Sequence, residues 1–246
     1  MDNAGHKQNS LHPADPAAAV RAWQAHCAAG KRAFETVHYG EAGEKYEAAL
    51  REAEAFGFKD VRFSATLNSL AGVYAAQGRR DEAEQLYLQA LALREAVAGP
   101  QSASVAQTLN NLAALYASGR RFQEAEKNYQ RALKIAEESP GPEDLPLAVT
   151  LNNLALLYKT QSRFGEALPL FQRALSVGLK LLGPAHPFIA TSLNNFGGIC
   201  LEEGKHGEAE AFFKQSLAIK EKTLGPRHPE VATILNNLAD LYCAAG

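Results

Sequence analysis

The sequence predicts an all-α fold made of stacked helix pairs, which is a helical solenoid. The five-residue word Leu-Asn-Asn-Leu-Ala begins at Leu109, and the same word or a near copy begins at Leu67, Leu151, Leu193 and Leu235. Each step is 42 residues, and repeat proteins built from helix pairs have a fixed period of this size. Within each period apolar residues fall at helical spacing, and glycine and proline recur between the apolar segments.

The third repeat shows the two amphipathic helices that each period contains. The first stripe has the i, i+3, i+4, i+7 spacing of one helix face and consists of Leu109, Leu112, Ala113 and Tyr116. After the turn at 119–121 comes a second stripe, made of Phe122, Ala125, Tyr129, Ala132, Leu133 and Ala136. Small residues alternate with large ones, so two helices can approach closely while the rings fill the gaps.

Turn residues recur between the repeats as regularly as the stripes do. Glycine is placed just past each second helix, where its left-handed conformation ends the helix, at Gly57, Gly99, Gly141, Gly183 and Gly225. Three residues later come the predicted N-caps of the next helix, which are Asp60, Ser102, Asp144, His186 and His228. This shared register favours capping over metal binding for the two histidines, and no metal site is predicted.

The two ends of the chain depart from the repeat. Residues 1–14 are polar and without periodicity, so we expect a disordered arm. Asp15 and Pro16 then begin the array as N-cap and first helical residue. We predict one array over residues 15–246, with about five helix pairs and a C-terminal single helix. This helix either caps the fifth pair or belongs to a longer array, and its outward side is expected to carry Leu238, Leu241 and Tyr242.

Composition and motifs exclude several classes of function. With 25 basic and 27 acidic residues the net charge is −2, which is a poor basis for binding nucleic acid or an anionic membrane. Cys27, Cys200 and Cys243 are far apart and without CxxC spacing, which predicts reduced thiols and a cytoplasmic protein. No secretory signal, membrane span or catalytic or phosphate-binding motif is found. We therefore expect no enzyme activity, no catalytic residues and no cofactor.

The alternation of small and large residues resembles the tetratricopeptide repeat (TPR). The consensus spacing is present as Ala113, Tyr116, Ala125, Tyr129 and Ala132, and the match covers roughly residues 16–246. The period of 42, where the basic repeat has 34, and the words EALPLFQRAL and LGPAHPFIA look like the kinesin-light-chain type of this repeat. The resemblance implies a right-handed superhelical solenoid of antiparallel helix pairs. It also implies that the first helices line a concave groove holding a peptide or protein segment.

Asparagines that recur on the first helices are the candidate site. At 100° per residue, Asn110 and Asn111 lie about 100° and about 200° from Leu109, away from the packed stripe, and we expect them to face the groove. An amide both donates and accepts, so it can bond a peptide backbone. The alternative, that an amide bonds across to the neighbouring helix and sets the repeat spacing, stays open. The candidate peptide-binding residues are Asn68, Asn110, Asn111, Asn152, Asn153, Lys159, Asn194, Asn195, Asn236 and Asn237.

Positions that vary between repeats on this face are expected to set specificity. They are Gly72, Ala114, Leu156, Gly198 and Asp240 in one column, and Ala75, Ala117, Lys159, Leu201 and Cys243 in another. The resulting surface is neutral, shallow and partly apolar. Lys159 is nearly the only cation and Glu202 opposes it, so no preference for acidic partners is predicted.

The pattern favours a non-enzymatic adaptor that binds an extended peptide or partner segment in this groove. One alternative is a regulatory array whose groove senses a signalling peptide and changes the superhelical pitch. Another is a structural array that self-associates through its ends.

Overall fold

The computed structural model describes residues 16–138 and 145–245, and these residues form helices joined by short turns. The predicted arm over residues 1–14 lies outside the described residues, as do the predicted cap Asp15 and the turn residues Gly141 and Asp144. The helices are α1 (Pro16–Glu35), α2 (Tyr39–Glu54), α3 (Val61–Ala76), α4 (Arg80–Ala98), α5 (Ala103–Ser118), α6 (Phe122–Glu138), α7 (Leu145–Thr160), α8 (Phe164–Leu182), α9 (Pro187–Glu202), α10 (His206–Leu224) and α11 (Pro229–Ala245). The predicted all-α fold is confirmed.

Where the structure describes the residue before a first helix, that helix begins at a side-chain cap. The Asp60 carboxylate accepts a hydrogen bond from the Arg62 backbone N–H at 2.8 Å. His186 Nδ1 accepts one from the backbone N–H of Phe188 at 3.1 Å. Ser102 and His228 cap α5 and α11 in the same way. The capping interpretation of the two histidines is therefore confirmed, and the cap satisfies a backbone donor that has no partner within the helix.

The turn inside each helix pair requires a left-handed residue. Gly78, Arg120, Ser162 and Gly204 occupy equivalent positions, and all have φ between 59° and 79°. The basic residue that follows is an arginine in three of these turns. Its guanidinium lies over the tyrosine in the last turn of the first helix, with 3.6 to 4.2 Å to the ring centroid. The same arginines form ion pairs with a glutamate three residues on. The cation–π contact therefore closes three of the pairs, α3/α4, α5/α6 and α7/α8, at the end where the chain reverses.

The chain divides into two compact units, residues 1–100 and 101–246. In the first unit α1 packs on α2, α2 on α3 and α3 on α4. Its core combines small residues such as Ala42 with the large side chains of Tyr46, Phe63 and Leu70. The prediction that residues 15–246 form one array stays a prediction, since each unit is defined by its own contacts.

The second unit contains three helix pairs and α11. Consecutive helices pack on each other, and the first helices also form a row in which α5 contacts α7, α7 contacts α9 and α9 contacts α11. Alanines of the repeat, including Ala113, Ala125 and Ala132, are fully buried and let the helices approach, while Phe171 and Phe213 fill the space between them. The row of first helices carries most of the candidate site.

The last helix buries a different face from the one expected. Leu238 and Leu241 are buried against α9 and α10, together with Val231 and Ile234. Leu235 and Tyr242 are instead about half exposed. The expectation that Leu238 and Leu241 point outward is therefore wrong. Both residues belong to the stripe that packs on the preceding pair.

Candidate functional site

The asparagines of consecutive first helices hydrogen-bond to each other. The Asn195 side-chain amide on α9 donates to the Asn152 carbonyl oxygen on α7 at 3.3 Å. One repeat later the Asn237 amide on α11 donates to the Asn194 carbonyl oxygen on α9 at 2.8 Å. Each rung thus joins the first asparagine of one repeat to the second asparagine of the next. We call this row of amide pairs the asparagine ladder.

Burial corrects the expectation that all the asparagines face a groove. Asn68, Asn152 and Asn195 are only 7 to 8% exposed, and Asn236 is exposed. The remaining five, Asn110, Asn111, Asn153, Asn194 and Asn237, are partly exposed. A first helix inside the stack packs on its own second helix and also on the neighbouring first helices. Side chains that point away from its main stripe can therefore still be buried against a neighbouring helix. At the Asn152–Asn195 and Asn194–Asn237 pairs the structure shows the bond to the neighbouring helix that the sequence left open as the alternative to ligand binding.

The rung at the start of the second unit is open. Asn110 does not pair with Asn153; its amide N–H donates to the Thr150 hydroxyl on α7. That hydroxyl donates to the Pro146 carbonyl oxygen, so it can only accept from Asn110, and this fixes the orientation of the amide. The Asn110 carbonyl oxygen is left buried without a hydrogen-bond partner in the described part of the chain. Buried polar oxygens are nearly always paired, which makes this atom an exception that needs a cause.

Beside the open rung is a recess of about 500 Å³. Its lining comes from α5, α6, α7 and the turn between α5 and α6, and includes the partly exposed Asn153 and the 40% exposed Leu156. The other lining residues are Ala114, Ala117, Arg120, Phe122, Tyr129, Leu157 and Thr160. Ala114, Ala117 and Leu156 are among the variable positions predicted to set specificity, and the recess brings all three together.

Arg120 is the cation of this recess, and its backbone is strained. With φ of 60° it holds the left-handed conformation that glycine holds in two of the equivalent turns, at a cost on the order of 1 kcal/mol. Its side chain makes no ion pair or hydrogen bond with the part of the chain that the structure describes, and it is exposed. Its neighbour Arg121 is instead held by Glu124 and the Tyr116 ring. An exposed guanidinium without a partner among the described residues therefore borders an apolar recess.

Lys159 lies further along the same face, between α7 and α9. Its ammonium group packs over Gly198, where any Cβ would collide with it. Burial lowers the pKa of Lys159, and the negative charge of Glu202 partly opposes this shift. The predicted opposition of the two residues is thus present in the structure. A partly desolvated ammonium group lacks some of its hydration, so an additional acceptor from a bound partner would stabilise it.

The thiols are poor candidates for chemistry. Burial raises the pKa of Cys27 and of Cys200, which lowers the fraction of reactive thiolate. Cys243 is exposed, and all three cysteines are free. Among the described residues no group of three or more His, Cys, Asp or Glu side chains is placed to hold a metal.

Sequence reasoning missed two residues of this region, the partner of Asn110 at the open rung and the cation of the recess. Thr150 is one residue before the repeated word, and only the structure shows that it takes the place of an asparagine partner. Arg120 stands where glycine stands in two other turns, and that irregularity is visible in the sequence. Arg120 would have been found by comparing the turn residues of the repeats as well as their apolar stripes.

The comparisons with known proteins agree on the fold. The family model described as "Tetratricopeptide repeat" matches residues 62–138, 104–178, 146–222 and 188–246. No curated protein matches the chain.

Solved structures of similar fold come from several organisms. BtubC (BKLC) from P. vanneervenii is 24% identical, covers 87% of this chain and 92% of its own, and has a TM-score of 0.61. A putative kinesin light chain with nearly identical TPR-like repeats from Podosopora anserina is 22% identical, covers 85% and 98%, and has a TM-score of 0.63. Aspartyl phosphate phosphatase F from Bacillus subtilis is 16% identical with a TM-score of 0.70, and the match spans 93% of this chain but 56% of that protein.

Proposed function

Because the chain belongs to the tetratricopeptide repeat family, we propose that it is a non-enzymatic adaptor that binds an extended peptide or partner segment along its first helices. The family match and the structural neighbours of the kinesin-light-chain type support a protein-interaction role. The proposed partner is a protein or peptide and not nucleic acid or a membrane. In the described part of the chain, no helix has the length and apolarity that crossing a bilayer requires.

The open rung is the observation that carries the proposal. Elsewhere in the second unit the ladder pairs its amides, but Asn110 has an orphaned carbonyl oxygen and Asn153 makes no hydrogen bond with described residues. Asn153 lies on the wall of the recess. A peptide backbone supplies both N–H and C=O groups, so an extended segment would satisfy the amide that the ladder does not use.

The recess beside this amide suits one side chain of the bound segment. Leu156, Ala114 and Ala117 provide apolar surface, and Asn153 and Thr160 provide polar groups. Binding sites in proteins combine these two elements, apolar walls for affinity and a few polar groups for orientation. Asn153 and Leu156 are therefore the proposed centre of the site, with Lys159 and Asn194 further along the same row. The buried amides Asn68, Asn152 and Asn195 are assigned to helix spacing.

A cytoplasmic location fits this role. The three free thiols are typical of a reducing compartment, and the proposed partner would be a protein of the same compartment.

A matched pair of leucine variants tests the proposal. Leu156 on α7 and Leu179 on α8 are both 40% exposed, but only Leu156 lines the recess. We expect that segments selected from a random peptide library on the native protein bind Leu156→Arg at least about tenfold more weakly, since a charge fills the apolar site. Leu179→Arg should bind them with unchanged affinity.

Two outcomes would contradict the proposal. If the library yields no peptide that binds the native protein, the groove is not a peptide site of this kind. If Leu156→Arg and Leu179→Arg lose affinity equally while circular dichroism stays native, binding occurs outside the recess. A further variant, Asn153→Ala, should also weaken binding without lowering the unfolding midpoint, because Asn153 is not part of a closed rung.

A further inference from the structure

Tyr129 on α6 has a buried hydroxyl that makes no hydrogen bond with the residues the structure describes. The residue is only 3% exposed. Burial alone raises the pKa of the phenol, so the hydroxyl keeps its proton and can donate it to an acceptor. A hydroxyl that is removed from water without gaining a partner destabilises the folded chain, and its presence therefore needs a cause.

Packing of the repeat does not require this hydroxyl. The equivalent residues of the next two repeats are Phe171 and Phe213, and both are fully buried. The aromatic ring alone therefore fills the space between the helices of a pair. The hydroxyl of Tyr129 is an addition to the ring that the fold can do without, which leaves it available for binding.

The hydroxyl lies at the wall of the recess beside the open rung. Tyr129 is one of the residues that line this recess. The equivalent tyrosine of the preceding repeat, Tyr87, has its hydroxyl oxygen 3.4 Å from the position that a Cβ of Gly72 would take. Gly72 corresponds to Ala114 on α5, which also lines the recess. The phenol of Tyr129 therefore ends where a group bound in the recess can reach it.

A second polar group without a partner lines the same recess from α7. In the closed rungs the second asparagine of a repeat, Asn195 or Asn237, donates to the amide oxygen of an asparagine on the preceding first helix. Asn153 makes no such bond, because its counterpart Asn110 donates to Thr150 instead. The open rung therefore lacks one carboxamide group, and a bound segment can supply it.

The rest of the lining favours a neutral group on an apolar stem. Ala117, Leu156 and Leu157 provide apolar surface, and the Thr160 hydroxyl already donates to the Leu157 carbonyl oxygen at 2.7 Å. Arg120 lines the recess as a cation, but it is exposed to water, where its charge is screened. A carboxylate in the recess would lose hydration without gaining a buried cation. A carboxamide needs only neutral donors and acceptors.

We propose that the recess binds a glutamine side chain of the partner segment, whose carboxamide pairs with the Asn153 amide and whose oxygen accepts a hydrogen bond from the Tyr129 hydroxyl. The inference rests on the proposed function, since it identifies the side chain that the bound segment places beside Leu156. The methylene stem of glutamine packs on Leu156. It is longer than that of asparagine, so the amide reaches the buried hydroxyl from the surface of the groove.

Peptides selected from a random library on the native protein provide the probe. We expect glutamine to be enriched at one position of the selected sequences. Replacing that glutamine by methionine keeps the length of the side chain and removes the amide, so the dissociation constant measured by fluorescence anisotropy should rise at least about tenfold. Replacing it by glutamate should also weaken binding, because the carboxylate loses its hydration.

The variant Tyr129→Phe removes the hydroxyl and keeps the ring. It should bind the glutamine peptide at least about fivefold more weakly and the methionine peptide with unchanged affinity, because only the first peptide uses the hydroxyl. Its unfolding midpoint should not fall, since the hydroxyl has no partner in the described part of the chain. Tyr87→Phe is the matched control, because it makes the same change at the equivalent position of another repeat, where the tyrosine is 4% exposed. This control should bind both peptides as the native protein does.

The possible failures of the two proposals can be told apart. If no library peptide binds the native protein, the proposed function fails and this inference fails with it. If the selected peptides lose affinity for Leu156→Arg but contain no enriched glutamine, or bind equally well with methionine in its place, the proposed function stands and the glutamine assignment is wrong. A glutamate peptide that binds more tightly than the glutamine peptide also overturns the assignment, because it would show that the recess prefers a charge.

The tyrosine variants give two further ways to overturn the proposal. A lower unfolding midpoint in Tyr129→Phe would show that the hydroxyl is already bonded within the protein. Equal losses of peptide affinity in Tyr129→Phe and Tyr87→Phe would show that the effect arises outside the recess.

Discussion

The amide pair between α7 and α9 offers a direct measure of what the asparagine ladder does. Asn152 and Asn195 are 7% and 8% exposed, and the Asn195 amide donates to the Asn152 carbonyl oxygen. The perturbation is the set Asn152→Ala, Asn195→Ala and the double variant. Asn236→Ala is the control, because Asn236 has the same residue type on a first helix and is exposed.

The expected magnitude follows from burial and from helix preference. Removing one amide loses a hydrogen bond with a net value of about 1 kcal/mol and leaves a buried partner unsatisfied, at a further cost of about 1 kcal/mol or more. Alanine returns about 0.5 kcal/mol, since it is the better helix former. Each single variant should therefore lose about 1.5 to 2 kcal/mol. The double variant loses the same single bond, leaves no orphaned partner and gains the helix preference at both positions. It should therefore stay within about 0.5 kcal/mol of wild type, which gives a coupling energy of about 3 kcal/mol.

Urea unfolding followed by circular dichroism provides the assay, with the shift in midpoint multiplied by a common slope. Asn236→Ala should be neutral or more stable by up to about 0.5 kcal/mol, since only helix preference changes. The reasoning is refuted if the Asn152 and Asn195 single variants behave like Asn236→Ala, or if the losses simply add in the double variant. Either result would mean that the rung does not hold the two helices together.

Two further predictions concern a cap and an acid-sensitive contact. His186→Ala should lower the free energy of unfolding by about 1 kcal/mol and speed hydrogen exchange at the Phe188 amide, because the cap is lost. His186→Asp should lose no stability, because a carboxylate caps α3 at the equivalent position. Equal losses in the two variants would show that the cap is unimportant. The Arg163 guanidinium, with help from the Tyr158 hydroxyl, holds the pKa of Glu126 below its ordinary value of 4.5. Since the folded-state pKa is lowered, this contribution is present above pH 4.5 and is lost as pH falls through the lowered value. The stability advantage of wild type over Glu126→Gln, at most about 1 kcal/mol, should therefore shrink between about pH 6 and about pH 3, and an advantage independent of pH would contradict this assignment.

The repeat register could be predicted because its signals are local. Caps such as Ser102 and His186, and helix-ending glycines such as Gly99, depend on the residues immediately around them. In the structure the Ser102 and His186 side chains accept hydrogen bonds from backbone N–H groups of their helices, and Gly99 has the predicted positive φ. The apolar stripes succeeded for the same reason, since helix periodicity alone determines which side chains share a face.

The candidate site could be predicted only in outline. The helical wheel treated Leu109, Leu112 and their neighbours as the whole packed surface of a first helix. In the stack the same helix also meets the preceding and following first helices, and Asn152 and Asn195 are buried at that second contact. The angle of a side chain on the helical wheel does not show which neighbouring helix it faces. It therefore cannot distinguish an asparagine that faces the groove from one that bonds to the next first helix.

The amino-acid sequence by itself determined the period, the helix boundaries and the family, because these follow from short-range spacing repeated five times along the chain. Only the tertiary structure decided which amides pair, that the Asn110 oxygen has no partner among the described residues, and that Leu235 and Tyr242 rather than Leu238 and Leu241 remain exposed. These features depend on which helices lie side by side and how far apart they are. Repeats with nearly the same word therefore have different surroundings, and the differences between them define the proposed sites.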